Sequence, residues 1–272
     1  MVQNTCGRRL VWLGHRRCKQ NSAWKPSKPA IPGSNPGGRI FTKFERKFAM
    51  HRVKAVLFDM GGTLVYVESS PEIFCRILKV HRIEYSINEV SEAWEKAKEQ
   101  LSVEKMADFG TRFWVEFNLL FLENLGIKEN ALSLAEAIDK EWWEHANFSL
   151  YPEALFVLEK LKERGLKVGI VTNSLKADVE KVLAKLGLVG FFDVEVSVDD
   201  AGKAKPAKEI FTYAVKKLGL NPKDALFIGD DLRIDYEGAE KAGLRALVID
   251  REDKLTCNVR KIRNLRDLLS IV

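Results

Sequence analysis

The chain has 272 residues, 46% of them hydrophobic, which is enough to bury one large core or two small ones. Its net charge of +6 hints at a polyanionic partner, but residues 1–50 hold 11 of the 44 basic residues and a single acid, Glu45, so the remainder is −4 and the hint disappears. No run of about 18 apolar residues occurs, which excludes a membrane-spanning helix on length.

From Met1 to Ala49 there is no sustained apolar periodicity. Four of the eight prolines fall here and "KPSKPAIPGSNPGGR" is turn and loop chemistry, so disorder is expected. Three readings of this basic segment stand. The favoured one is a start assigned too far upstream, with Met50 the true first residue, because "GSNP" is what the bases of a transfer-RNA T-arm encode. The others are a nucleic-acid-binding arm with Trp12 and Trp24 available for stacking, and an Arg-rich transit peptide. "LVWLG" is too short for a signal-peptide core and Arg16 and Arg17 follow it, so secretion is not expected. Cys6, Cys18, Cys75 and Cys257 form no C-x-x-C pair; free thiols in a cytoplasmic protein are expected, with neither a zinc site nor a disulfide framework.

After Met50 strand and helix signals alternate. Residues 54–58 read as a first strand, short and apolar without polar alternation, as for a strand buried on both faces. The interval from about Ser69 to Phe148 is different, with helical periodicity throughout and no strand signal. Asn88 is the expected cap of a helix carrying Val90, Trp94, Ala97 and Leu101. Phe113, Trp114, Phe117, Leu120 and Phe121 mark a second helix ending near Gly126, and Ser133 with Glu136 forms a capping box ahead of Ala137, Ile138 and Trp142. Trp142, Trp143 and the Phe113 cluster read as the core of a small helical bundle rather than a ligand cage, with some of that aromatic surface left open to a substrate.

Beyond it, Pro152 opens a helix through Ala154, Leu155, Leu158 and Leu161 that closes at Gly165, and Pro206 to Leu218, ending at Gly219, repeats the design. Strands are expected at 167–172, 194–198, 225–228 and 245–249. Alternating strands and helices predict an α/β fold with a mostly parallel sheet.

A parallel sheet delivers the residues after its strands to one edge, where ligands of open α/β folds bind. "VKAVLFDMGGTLV" places Asp59 there, followed by Gly61 and Gly62. Alone this is any tight βα turn, for neither a G-x-G-x-x-G nor a Walker lysine motif is present. Three further segments join it: "VGIVTNS" brings Thr172 and Asn173, "GKAKPAKEIF" brings Lys205, and "LFIGDDLRIDYEGA" brings Asp230, Asp231 and Asp235. Each has a bland alternative, a strand-end hydroxyl, a solvated basic loop or helix N-terminal acids. Their joint order is what points to a site.

This set resembles the motifs of the haloacid dehalogenase superfamily over about residues 53–250: D-x-D-G-T-L, a Ser/Thr after a strand, a Lys often followed by Pro, and G-D-x-x-x-x-D-x-x-G-A. The resemblance implies a Rossmann-like parallel sheet with helices on both faces and an inserted all-helical cap. The expected division is a basic extension over 1–49, a core over 50–67 and 150–272, and a cap over 68–149. It also implies a nucleophilic Asp59, phosphate oxygens held by Thr172 and the glycine loop with Asn173 nearby, and Lys205 neutralising the charge Asp59 shares with the phosphate. Mg²⁺ is the implied cofactor, bound by Asp59, the Gly61 carbonyl and Asp230, with Asp231 or Asp235 supporting it from behind.

Two departures stand out. Where the family often reads K-P-D-P, this chain has Lys205, Pro206, Ala207 and Lys208. More seriously, Gly61 occupies the position where family phosphatases place a general acid/base aspartate, and a glycine cannot shuttle a proton. The leading expectation is a Mg²⁺-dependent phosphatase of a small phosphorylated metabolite, a monomer or homodimer, with no nucleic-acid or membrane partner for the folded body. The alternatives are a phosphonatase- or dehalogenase-like hydrolase, and a catalytically weak domain that binds a phosphorylated ligand or a protein partner.

Overall fold

The computed structural model describes residues 53–101 and 112–272, and the expectations for residues 1–49 lie outside that range. In chain order the elements begin with β1 (Ala55–Phe58), β2 (Val65–Val67), α1 (Ser70–Val80), α2 (Ile87–Gln100), α3 (Phe113–Asn124), α4 (Ala131–His145) and β3 (Phe148–Leu150). They continue with α5 (Ala154–Glu163), β4 (Lys167–Val171), α6 (Lys176–Leu186), β5 (Val194–Val196), α7 (Val198–Ala201), α8 (Lys208–Lys217), β6 (Ala225–Gly229), α9 (Gly238–Lys241), β7 (Arg245–Ile249) and β8 (Lys261–Ile262).

The expected parallel sheet forms, in the order β5-β4-β1-β6-β7-β8. The first strand is buried at all four positions and pairs in parallel on both sides, Ala55 opposite Lys167 and Ala225. Its side chains alternate across the sheet. Val56 and Phe58 join Ile170, Ile228 and the α5 residues Val157 and Leu158 on one face, while Leu57 joins Val171, Phe227 and the α8 residues Ile210 and Phe211 on the other. The Phe211 and Phe227 rings meet edge to face with centroids 5.0 Å apart; each such fully buried ring contributes about 2–3 kcal/mol of hydrophobic stabilisation.

The four helices α1–α4 build a separate apolar cluster around Ile77, Trp94, Phe117, Phe121 and Ile138. They are framed by two short strands that the sequence reading did not pick out. β2 and β3 pair antiparallel, Val65 with Leu150 and Val67 with Phe148, so the helical segment is inserted in a small hairpin. Three-residue strands whose partners lie a whole helical segment apart carry neither a two-residue period nor a turn signal. Glu68 fastens the crossing, accepting from the backbone N–H of Asn147 at 2.8 Å and its side chain at 3.0 Å, and pairing with Arg76.

Two helix starts also differ from expectation. α2 is capped by Ser86, whose hydroxyl accepts from the Glu89 N–H while the Glu89 carboxylate accepts from the Ser86 N–H at 2.8 Å; Asn88 lies inside the first turn. α4 begins at Ala131 after a left-handed Asn130 (φ 53°), which turns the chain early and leaves Ser133 and Glu136 within the helix.

Candidate active site

The loop after β1 is shaped by its glycines. The Met60 carbonyl accepts from the N–H groups of Leu64 (3.1 Å) and Val65 (2.8 Å), and the Gly62 N–H reaches the Val65 carbonyl at 2.8 Å. Gly62 adopts φ 79°, a conformation that other residues rarely take. The fold-back leaves Asp59 at the carboxyl edge of the sheet, 8% exposed.

Lys205 reaches the same point from the loop before α8. It is 2% exposed, and its Nζ lies 2.6 Å from Asp59 Oδ1 and 2.7 Å from Asp235 Oδ1. Asn173, expected near the phosphate, grips the Lys205 backbone with both amide atoms, accepting from its N–H at 2.7 Å and donating to its carbonyl at 3.0 Å. Thr172 stands just past β4, its Oγ1 bonded to the Ser174 N–H and hydroxyl.

Asp235 arrives on a π-helical turn, Leu232–Glu237, which Asp231 caps by accepting from the N–H groups of Arg233 and Ile234 at 2.7 Å each. Asp231 thus holds the turn, and its own N–H donates to Asp235 Oδ2 at 3.1 Å. Gly229 is needed for space: a Cβ there would lie 2.3 Å from the Asp235 carboxyl carbon.

One carboxylate oxygen from each of Asp59, Asp230 and Asp235 lies within 4.8 Å of the other two. Burial pushes the Asp59 carboxyl up to about 6 even with Lys205 opposing, and Asp235 adds to the rise. Asp230 is raised well above the ordinary range by burial and then by the charges of Asp59, Asp235 and Asp231. Burial disfavours the Lys205 ammonium, but Asp235 and Asp59 outweigh it and its pKa is raised. One ammonium stands against three carboxylates, an oxygen-rich donor set suited to a hard divalent cation.

All nine residues singled out from the sequence line a single cavity of about 260 Å³. Its opposite wall comes from the helical segment: Phe74, Trp94, Trp114, Phe117, Trp142 and Trp143. The bundle-core reading therefore holds for the buried Trp94 and Phe117, yet both also face the cavity, and the half-buried Trp142 and Trp143 belong to its wall.

Three residues escaped the sequence reading. Thr63, inside the quoted motif, donates to Asp59 Oδ2 at 3.4 Å. Asp139 and Asp178 line the cavity from α4 and α6. Asp139 was legible in principle, since with Ala135, Ile138 and Trp142 it completes an i, i+3, i+4, i+7 stripe, an acid where an apolar residue belongs. Gly61, finally, is free of any left-handed φ, and a Cβ on it would meet nothing within 4 Å.

Residues 53–243 match a family model described as haloacid dehalogenase-like hydrolase. A glyceraldehyde 3-phosphate phosphatase of Methanopyrus kandleri is 31% identical over 199 residues, covering 73% of this chain and 84% of its own. An N-acetylmuramic acid 6-phosphate phosphatase of Pseudomonas aeruginosa is 30% identical, covering 73% and 82%. Among solved structures, a HAD phosphatase from Thermococcus onnurineus aligns with TM-score 0.52 at 27% identity over 80% of this chain and 97% of its own. The magnesium-bound HAD-hydrolase YfnB of Bacillus subtilis aligns with TM-score 0.67 at 22% identity over 81% and 98%, a likeness of fold.

Proposed function

The chain belongs to the haloacid dehalogenase-like hydrolases, and from that premise we propose that it hydrolyses small phosphate monoesters through a phosphoryl group carried on Asp59. The observation that carries this reading is the Asp59–Lys205–Asp235 line, a buried carboxylate held at 2.6 Å by an ammonium that is itself held at 2.7 Å. Phosphatase relatives that span most of this chain support the same reaction class.

An Asp59 carboxylate oxygen attacks phosphorus as the P–O bond to the alcohol breaks; water then attacks the same phosphorus, releasing inorganic phosphate and restoring Asp59. Lys205 balances the charge that Asp59 shares with the incoming phosphate, and Asn173 keeps that lysine in place. The Gly62 loop and Thr172 face the phosphate position. Asp59, Asp230 and Asp235 would hold Mg²⁺, with the Gly61 carbonyl at hand, and the ion would supply charge neutralisation at the phosphoryl oxygens. With Gly61 in place of an acid, the departing alkoxide takes its proton from water, so unactivated esters turn over slowly.

The helical residues 68–149 act as a cap over a core of 50–67 and 150–272, supported by their separate apolar cluster and their place in the β2–β3 hairpin. A cytoplasmic setting fits the free thiol of Cys75, and among the described residues no helix is long and apolar enough to cross a membrane. A panel of phosphate esters, phosphonoacetaldehyde and 2-haloacids, each with and without EDTA, tests the proposal. EDTA-sensitive release of inorganic phosphate from the esters alone is expected; turnover of a 2-haloacid unaffected by EDTA would overturn it.

A further inference from the structure

The wall opposite Asp59 draws aromatic rings from each described helix of the cap, Phe74 from α1, Trp94 from α2, Trp114 and Phe117 from α3, Trp142 and Trp143 from α4, and of these Trp94 already carries Lys98 at 4.3 Å from its ring centroid. Two carboxylates interrupt it. Asp178 has Lys181 at 3.9 Å and a hydrogen bond from Trp143, whereas Asp139 has no hydrogen bond or ion pair among the described residues. Glu68, a further acid away from the Asp59 cluster, is already paired with Arg76. Of the described lining residues only Lys205 is cationic, and Asp59 and Asp235 hold it.

A ligand whose phosphate sits at Asp59 therefore presents its other end to ring faces and negative charge. A second phosphate or a carboxylate there would face Asp139 and Asp178, and the described cation beside them, Lys181, is paired with Asp178 and does not line the cavity. A flat neutral group would satisfy the rings but leave Asp139 beside a second acid. An ammonium group satisfies both, by cation–π attraction to the rings and by direct attraction to the carboxylates.

Resting on the phosphatase reading above, we infer that the site selects phosphate monoesters whose alcohol carries an ammonium group, which the cap aromatics and Asp139 with Asp178 take up. Burial first, then the Asp178 charge, pushes the Asp139 carboxyl up to about 6, and a ligand cation beside it would lower that value again.

The test compares kcat/KM of the full chain with Mg²⁺ on phosphocholine, on neohexyl phosphate, its neutral carbon isostere, and on phosphoglycolate, for wild type and Asp139→Asn. Wild type is expected to favour phosphocholine over the isostere by about tenfold and the isostere over phosphoglycolate. In Asp139→Asn the first ratio shrinks at least about threefold, a change that the unequal leaving ability of the two alcohols cannot produce because both proteins meet the same esters. An unchanged ratio, or a wild-type preference for phosphoglycolate, would overturn the inference while leaving the phosphatase reading intact. Absence of turnover on every ester overturns that reading and this inference with it. Should Asp139→Asn not fold, inhibition of wild type by choline against neohexyl alcohol decides: choline must bind more tightly, and equal binding overturns the proposal.

Discussion

The two ends of the cavity treat charge in opposite ways. At the sheet edge the groups are interlocked: Lys205 bridges Asp59 and Asp235, Asn173 clamps Lys205, and Asp231 anchors the turn that carries Asp235. At the helical end the wall is mostly ring carbon, and among the described residues Asp139 has no hydrogen bond or ion pair. The difference teaches a division of labour. A preorganised, cross-linked network suits a step common to all substrates, whereas an acid set in an apolar wall discriminates between them.

The strongest way to break this comparison is to remove the reacting atom from the interlocked end. Asp59→Asn should lower turnover on every ester by about 10³-fold or more while leaving the fold intact, because Lys205 keeps Asp235. Steady-state rates with circular dichroism check it, and activity above about a tenth of wild type would mean that another group attacks phosphorus.

Next is Lys205→Met, which leaves three carboxylates facing one another and should destabilise the metal-free protein by about 3 kcal/mol. Mg²⁺ should then raise the melting temperature of the variant more than that of wild type. Equal shifts would mean that the acids do not share the ion.

The comparison is sharpened by Gly61→Asp, which adds a proton donor to the interlocked end. Gly61 has no left-handed φ and open space around a Cβ, so the substitution should fold. Alkyl phosphates should then gain up to about 10²-fold and activated aryl phosphates little. A folded variant no faster on alkyl phosphates would show that proton donation does not limit the rate.

The smallest effect is at the helical end. Because the Asp139 pKa rises from 3.8 to about 6 on folding, its contribution favours the fold below pH 4 and is lost as pH rises through 6. Asp139→Asn, with Asp178 and Lys181 still facing it, should therefore be more stable than wild type above pH 6 by about 1 kcal/mol after solvent screening. The gain should vanish near pH 4, and chemical denaturation across that range reads it directly.

The sheet and the site were legible because both depend on local rules. Strands buried on both faces must be short apolar runs, and a parallel sheet sends the residue after each run to one edge, so Asp59, Thr172 and Asp230 could be placed without knowing any pairing. Lys205 was grouped with those strand-end residues by its motif, but it stands in the loop between α7 and α8 and reaches the site from there. What stayed hidden depends on distant partners. Val65–Val67 has no strand signal until Phe148–Leu150 lies beside it, and the amide of Asn173 could not be assigned to the Lys205 backbone before that loop was in place. The aromatic helices were legible as a packed bundle, but a ring that packs on one face and lines a cavity on the other has the same spacing as one that only packs.

The placement of β1 between β4 and β6 bears on the order in which the chain is made. Ala55 finds its backbone partners at Lys167 and Ala225, so during synthesis the central strand emerges well before either neighbour exists. The helices α1–α4 can close on one another in the meantime, since their contacts lie within one continuous stretch. The two ends of the cavity are thus assembled at different times: a nascent chain can carry its selective wall before the ribosome has delivered the lysine and aspartates that make Asp59 reactive.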